Sequence, residues 1–354
     1  MTRVGLLAAV LLAIGGGGQL VIAAQAAEPT APMTVKVGPR SGSGAFQDTE
    51  LVYLDGRIDA GAPDRLSKAL SGISGKIAIW LNSPGGNLFA GMQLGRIIRE
   101  YGASTHIINS GTLLPGECYS ACALAFLGGV YRFNDNGARY GVHRASLPVD
   151  RATGEHDLGQ ELSAAIGSYM REMGVDAHLL ELWAKAAPDE MYVLSRREAK
   201  DLRVVNDGRE PPEWSSAPFP GGTMLQGRQA TADGRGTVFF SCDEKQTTFG
   251  SVYEAADKGE PAAVQQWRHV VTIDSHDGVP VKPLGVSSKD GIVRSTFLVP
   301  PDLVRLAMSA KRIGHLMKPS SHAPSIGVSV DIDESSALMV RTFLGSCLRR
   351  QAKK

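Results

Sequence analysis

The sequence predicts an α/β core followed by a smaller, β-rich C-terminal domain. Three observations carry that reading. Between residues 50 and 205, short apolar runs alternate with amphipathic stretches at the spacing of stacked β-α-β units. Residues 206–222 then contain Pro211, Pro212, Pro218 and Pro220 and end in Gly221-Gly222, the composition of a linker. Beyond it, in residues 223–354, strand-like runs replace the alternation and a single helix closes the chain. With 354 residues and 43% hydrophobic content, the chain is long enough for two packed domains.

The first 26 residues read as a cleaved signal peptide. Arg3 precedes an apolar run from Val4 to Ile14, the glycines from Gly15 to Gly18 shorten it below a spanning helix, and Ala24-Gln25-Ala26 offers a small-x-small cleavage site. The expected location is the periplasm or the exterior. Residues 27–49 are rich in Pro, Gly, Ser and Ala and read as a flexible lead-in.

Each core element has a local reason. Leu51 to Leu54 is a short apolar strand stopped by Asp55-Gly56, and Pro63 to Leu70 is a helix with Asp64 in its first turn. Lys76 to Leu81 (KIAIWL) is a buried strand that runs through Asn82-Ser83-Pro84-Gly85-Gly86 into a helix from Leu88 to Tyr101. On that helix Leu88, Met92, Gly95 and Ile98 share one face, and Gln93, Arg96 and Arg99 lie away from it. His106 to Ile108 continues the sheet, and Tyr131 to Phe133 and Arg139 to His143 add strands. Leu158, Leu162, Ile166, Tyr169 and Met173 mark an amphipathic helix, Leu179 to Lys185 another, and Tyr192 to Leu194 a strand. Ser195 and Glu198 form a capping box over a helix to Leu202, and Val204-Val205 ends the domain. In the second domain, strands are expected at Thr237 to Ser241, Val270 to Ile273, Ile292 to Val299 and Ile326 to Ile332, with a helix from Ser335 to Cys347.

Net charge is +1 with no long charge runs, which argues against nucleic acid or an anionic membrane as partner. In an exported chain the four cysteines point to disulfides, and pairing Cys118 with Cys122 and Cys242 with Cys347 is the simplest of the connectivities.

The chemistry gathers around Gly116 to Gly129, GECYSACALAFLGG, where a polar turn carrying Ser120 runs into an apolar helix. A serine there meets the unpaired N–H groups of a helix N-terminus. Upstream, Gly85-Gly86 precedes another helix N-terminus; downstream, Tyr140-Gly141-Val142-His143 ends a strand in an imidazole. Nucleophile, oxyanion donors and base are all present. A hydroxyl must lose its proton to a nearby base as it attacks, and N–H donors must face the oxyanion that develops.

LNSPGGNLFAGMQLGRII, GECYSACALAFLGG and YGVHRA together resemble the proteolytic subunit of Clp protease and its relatives, the ClpP/crotonase superfamily, over about Leu51 to Val205. The resemblance implies a spiral core of stacked ββα units and a serine peptidase. It assigns Ser120 as nucleophile, His143 as base, and the N–H groups of Ala121 and Gly86, with Gly85 beside it, as the oxyanion site. The family's acid precedes a segment matching Tyr192 to Ala199, and that alignment puts Met191 in its place. Asp189 or Glu190 could serve from one or two residues away, with Asp189 preferred, or the site could run as a Ser–His dyad oriented by a backbone carbonyl. The resemblance also implies peptide or unfolded-protein substrates and a homo-oligomer. Outside the cell no ATP-driven unfoldase is expected to feed it. No cofactor or metal is called for.

Plainer readings stand beside these. Ser120 could cap its helix, His143 could be a strand-end histidine, and Gly85-Gly86 could be only a turn. Cys118 and Cys122 could ligate a metal with His143, although a fourth ligand is lacking. Asp331, Asp333 and Glu334 lack a calcium-loop pattern and read as solvated or capping. The whole core could be a catalytically inactive binding or assembly module of the cell envelope, and an acyl-CoA enzyme of the crotonase kind is disfavoured by export.

Overall fold

The computed structural model describes residues 21–23, 31–40, 48–144, 155–220, 222–255, 264–274, 278–319 and 325–352. The chain divides into two compact units, Met1–Asp207 and Gly208–Lys354.

In unit 1 the order is β1 (Val21–Ala23), β2 (Thr34–Val37), β3 (Thr49–Asp55), α1 (Ala62–Leu70), β4 (Lys76–Asn82), α2 (Leu88–Glu100), β5 (Ser104–Asn109), β6 (Leu114–Pro115), β7 (Glu117–Tyr119), α3 (Ala121–Leu127), β8 (Arg132–Phe133), β9 (Arg139–Val142), α4 (Glu155–Glu172), α5 (His178–Lys185), β10 (Glu190–Val193) and α6 (Arg196–Asp201). One sheet runs β2-β3-β4-β5-β6, with β8 pairing β5; β3, β4, β5 and β8 are parallel. A second sheet runs β1-β10-β9-β7, with β7 parallel to β9. The α/β architecture expected from the sequence is present, and its strands form two sheets.

Burial explains the order. β4 reads as a near-continuous apolar run because helices cover one face and a Leu51–Trp80–Ile108 cluster the other. The seven residues of α3 are all buried, so this short helix is held by packing, not by its own propensity. Ile166, Tyr169 and Met173 of α4 and its following turn enter the same core, and the Tyr169 hydroxyl donates to the Leu124 carbonyl at 2.7 Å.

Parts of unit 1 go beyond or differ from the expectation. Arg99 turns inward and donates to the carbonyls of Gly128 (2.9 Å) and Leu127 (2.9 Å) at the end of α3. Arg132, buried, donates to Gly129 (2.9 Å), Val204 (2.9 Å) and Arg203 (2.8 Å). A helix C-terminus presents unpaired carbonyls and negative potential, so it accepts cations that periodicity alone would send to water. Burial lowers the Arg132 guanidinium to about 10. Part of the lead-in is strand β2, which lies antiparallel to β3 and carries Lys36 on the sheet edge. Finally, Val21–Ala23, inside the expected leader, is β1, antiparallel to β10. The rest of the expected leader lies outside the described residues, and among those described no helix is long and apolar enough to cross a membrane.

Unit 2 contains β11 (Glu213–Phe219), β12 (Gly222–Thr231), β13 (Gly234–Cys242), β14 (Thr247–Ala255), β15 (Arg268–Ile273), β16 (Val279–Pro280), β17 (Pro283–Lys289), β18 (Ile292–Val299), α7 (Pro301–Ala307), β19 (Arg312–Lys318), β20 (Ile326–Asp331) and α8 (Glu334–Gln351). Sheets β11-β12-β13-β14-β18-β17 and β16-β15-β19-β20 are antiparallel and enclose Phe249, Phe297, Val271 and Ile313. The unit is β-rich, as expected. Within the expected linker, however, Glu213–Phe219 form β11. Its Pro218 is tolerated because β11 is an edge strand, which needs ladder bonds on one side only. Asp333 caps α8 through the Ser336 N–H (3.0 Å), whereas Asp331 pairs with Arg209 and Arg312 instead of facing solvent. Cys242–Cys347 ties β13 to α8 across a sequence separation of 105, worth about 4.7 kcal/mol by loop entropy.

Three polar groups meet in the core of unit 2. The His269 Nε2–H donates to the Val264 carbonyl (3.2 Å), which leaves Nδ1 to accept from His315 Nε2–H (3.0 Å); His315 Nδ1 then accepts from the Ser251 hydroxyl (2.7 Å). Burial lowers both imidazoles, His315 to about 3. An unfolded histidine titrates near 6.5, so below that pH the unfolded chain takes up protons the folded unit refuses. Unit 2 is therefore expected to lose stability from pH 6.5 down towards pH 3, by about 1.4 kcal/mol per unit for His315. Urea unfolding of wild type and His315→Gln across that range measures it. Equal slopes in the two proteins would rule the histidine out as the cause.

Candidate functional site

The site is assembled from the carboxyl ends of three strands. Past β4 the chain continues through Ser83, whose N–H donates to the Glu117 carbonyl (2.8 Å) and whose carbonyl accepts from Tyr119 N–H (3.1 Å). β7 lies parallel to β9 on its other side, with Tyr119 opposite Gly141. Ser83-Pro84-Gly85-Gly86, Ser120 and His143 thus leave three aligned strands at one end, where α/β sheets place their sites.

Ser120 joins β7 to α3 at φ 57 and ψ −121, and its N–H donates to the Gly141 carbonyl at 3.0 Å. Positive φ costs a non-glycine residue about 1–3 kcal/mol. Although Ser120 holds the N-cap position, its side chain makes no cap hydrogen bond. Serine at that position ordinarily caps. The capping explanation therefore fails, and what remains is a strained strand–turn–helix elbow that withholds its hydroxyl from the helix.

The two glycines are fixed by their neighbours. Gly85 (φ 98) lies so close to the elbow that a Cβ there would stand 2.6 Å from the Tyr119 carbonyl oxygen and 3.2 Å from the Ala121 nitrogen. Its N–H is taken by Ser83 Oγ at 3.1 Å, so Gly85 contributes close packing and not a donor. Gly86 (φ 141) lies against Ile58, which donates to the Gly85 carbonyl (2.8 Å) and accepts from Asn87 N–H (2.8 Å). That leaves the Gly86 N–H on the side away from Ile58. The Gly86 and Ala121 amides are thus both left without an acceptor among the described residues.

His143 is half-buried, and burial holds its imidazole below the ordinary histidine value, opposed by the Arg144 backbone. The ring is neutral at neutral pH, as a general base must be. No hydrogen bond joins it to Ser120 among the described residues; such bonds are often long before substrate binds. Its Nδ1 is buried with no partner among the described residues. Asp189, the preferred third member, is exposed ahead of β10 and makes no hydrogen bond to His143, and Glu190 instead accepts the Ala187 N–H at 3.4 Å. The ladder explains this outcome. Tyr192 pairs with Val142 and Val193 with Gly141, and the pairing ends there, one residue short of Met191 and His143. The Met191 thioether lies over Gly141, where a Cβ would come within 2.9 Å of its sulfur.

Cys118 and Cys122 are bonded to each other, both fully buried, which removes the thiolates a shared metal with His143 would need. The bridge spans a sequence separation of 4, and its loop-entropy contribution is only about 2 kcal/mol. The buried chain from Ser251 through His315 to His269 was not legible in the sequence, since 46 residues separate the two histidines with no ligand-like spacing.

No family model and no curated protein matches the chain. Among solved structures it is similar to a mutant of the 1510-N membrane-bound stomatin-specific protease, with 20% identity over 44% of this chain and 75% of that one and a TM-score of 0.36. It is also similar to a mutant of ClpP1 from Listeria monocytogenes, with 24% identity over 45% of this chain and 88% of that one and a TM-score of 0.33. These likenesses cover less than half of the chain and concern the fold.

Proposed function

We propose that unit 1 is an exported, Clp-like serine peptidase that cleaves peptides or unfolded polypeptides through an acyl-enzyme on Ser120. One observation carries the reading: Ser120 is held at φ 57 with its hydroxyl released from capping, next to the unpaired Ala121 N–H and packed against Gly85, whose neighbour Gly86 also keeps an unpaired N–H. His143 takes the Ser120 proton as the hydroxyl attacks the scissile carbonyl, and the two amides hold the resulting oxyanion. The protonated imidazole then gives its proton to the leaving amine, and water activated by the same ring hydrolyses the ester. With Met191 in place of an acid, the site works as a dyad. The periplasm or exterior as location, self-assembly into a homo-oligomer and independence from an ATP-driven unfoldase belong to the same proposal.

The test is covalent labelling by a fluorophosphonate probe. Wild type is expected to label, Ser120→Ala not at all, and His143→Ala at least about 10³-fold more slowly. A wild-type protein that is folded by circular dichroism yet does not label would overturn the reading. The unpartnered His143 Nδ1 would then favour the catalytically inactive binding or assembly module.

A further inference from the structure

We propose that the Cys118–Cys122 disulfide is the positioning element of Ser120, so that the nucleophile is in place only in the oxidised protein. The inference rests on Ser120 being the nucleophile.

The bridge joins the residue two before Ser120 to the residue two after it, and so closes the elbow into a small ring with the serine at its apex. On the strand side the backbone is secured independently, by the Ser120 N–H to Gly141 and by the paired Ser83. On the helix side α3 is held by the burial of its seven residues, but its first turn has no side-chain cap. The Ser120 carbonyl accepts the Ala123 N–H at 2.9 Å, but no side chain caps α3. A serine freed at this position has an alternative open to it: extended φ, with its hydroxyl accepting from a first-turn N–H of its own helix. Capping and nucleophilic attack compete for the same oxygen. The buried bridge decides between them by holding Cys122 too close to Cys118 for the elbow to unwind.

Reduction consumes two electrons and two protons. A dithiol attacks one sulfur, the S–S bond breaks to leave thiols on Cys118 and Cys122, and the dithiol leaves as its cyclic disulfide. The distant Cys242–Cys347 bridge supplies the control.

The experiment compares full-length wild type, Cys118→Ala/Cys122→Ala and Cys242→Ala/Cys347→Ala. It reads the fluorophosphonate labelling rate against pH and the Ser120 Cα and Cβ chemical shifts. The elbow variant is expected to label about 100-fold more slowly, as misplacement by an ångström does, with an unchanged pH midpoint for His143. Its Ser120 shifts should move to those of an N-cap serine, while the control variant stays like wild type in both respects. Should the elbow variant fail to fold, dithiol treatment of the control variant, which then holds only the elbow bridge, gives the same comparison. Labelling at the wild-type rate without the bridge, or unmoved Ser120 shifts, would overturn the inference. If wild type itself does not label, the nucleophile assignment fails, and the shifts still decide whether the bridge holds the elbow.

Discussion

Gly86→Ala is expected to slow fluorophosphonate labelling of Ser120 by about 10²–10³-fold or more, the cost of losing one oxyanion donor. The substitution adds one methyl group, yet at φ 141 that methyl would lie 2.1 Å from the Ile58 carbonyl oxygen, a backbone atom that cannot swing aside. Ile58 is itself bonded on both sides of Gly86, to the Gly85 carbonyl and the Asn87 N–H, so the strain is relieved only by turning the Gly86 peptide. Turning it moves the N–H away from the oxyanion position. The labelling rate and the urea midpoint should be measured together. A rate loss far beyond any stability loss locates the effect in the donor. An unchanged rate would show that Gly86 N–H does not serve the reaction.

Met191→Asp is expected to accelerate labelling by about 10-fold or more and to move its acid limb to higher pH. Position 191 lies one residue beyond the Tyr192–Val142 pair, and its side chain packs over Gly141, two residues before His143. A carboxylate there would meet the unpartnered Nδ1, orient the ring and favour the imidazolium that forms during attack. The sign follows from the charge: burial lowers the His143 value now, and a neighbouring anion raises it. Met191→Leu, which keeps the volume without the charge, should leave both rate and midpoint near wild type. A Met191→Asp protein whose pH profile matches that of Met191→Leu would show that position 191 does not reach the imidazole.

Much of this molecule is legible in local sequence. The KIAIWL run and the helix after Gly86 have the expected bounds to within a residue. The Ser195–Glu198 capping box forms reciprocally. Both disulfides pair within their own regions. Each of these signals is complete within one strand, one helical turn or one short loop, so neighbours in sequence suffice to specify it.

Other features depend on partners that the local pattern does not name. Arg99 fell on the polar side of its helix by periodicity, yet the C-terminus of α3 draws it inward. Residues 206–222 have the composition of a linker, yet Glu213–Phe219 within them is an edge strand because β12 offers it a ladder.

What the sequence by itself determined was the order of the motifs: a glycine pair, a serine at a helix start and a histidine at a strand end, each with local chemistry that suits a serine hydrolase. Tertiary structure alone decided that Ser120 would not cap its helix, that the Gly86 and Ala121 amides would stay unpaired, and that Met191 would pack over Gly141 near the end of the His143 strand. The physical reason is that capping, amide satisfaction and cross-strand register are settled by which strand ends meet, and that meeting is made by contacts tens of residues apart.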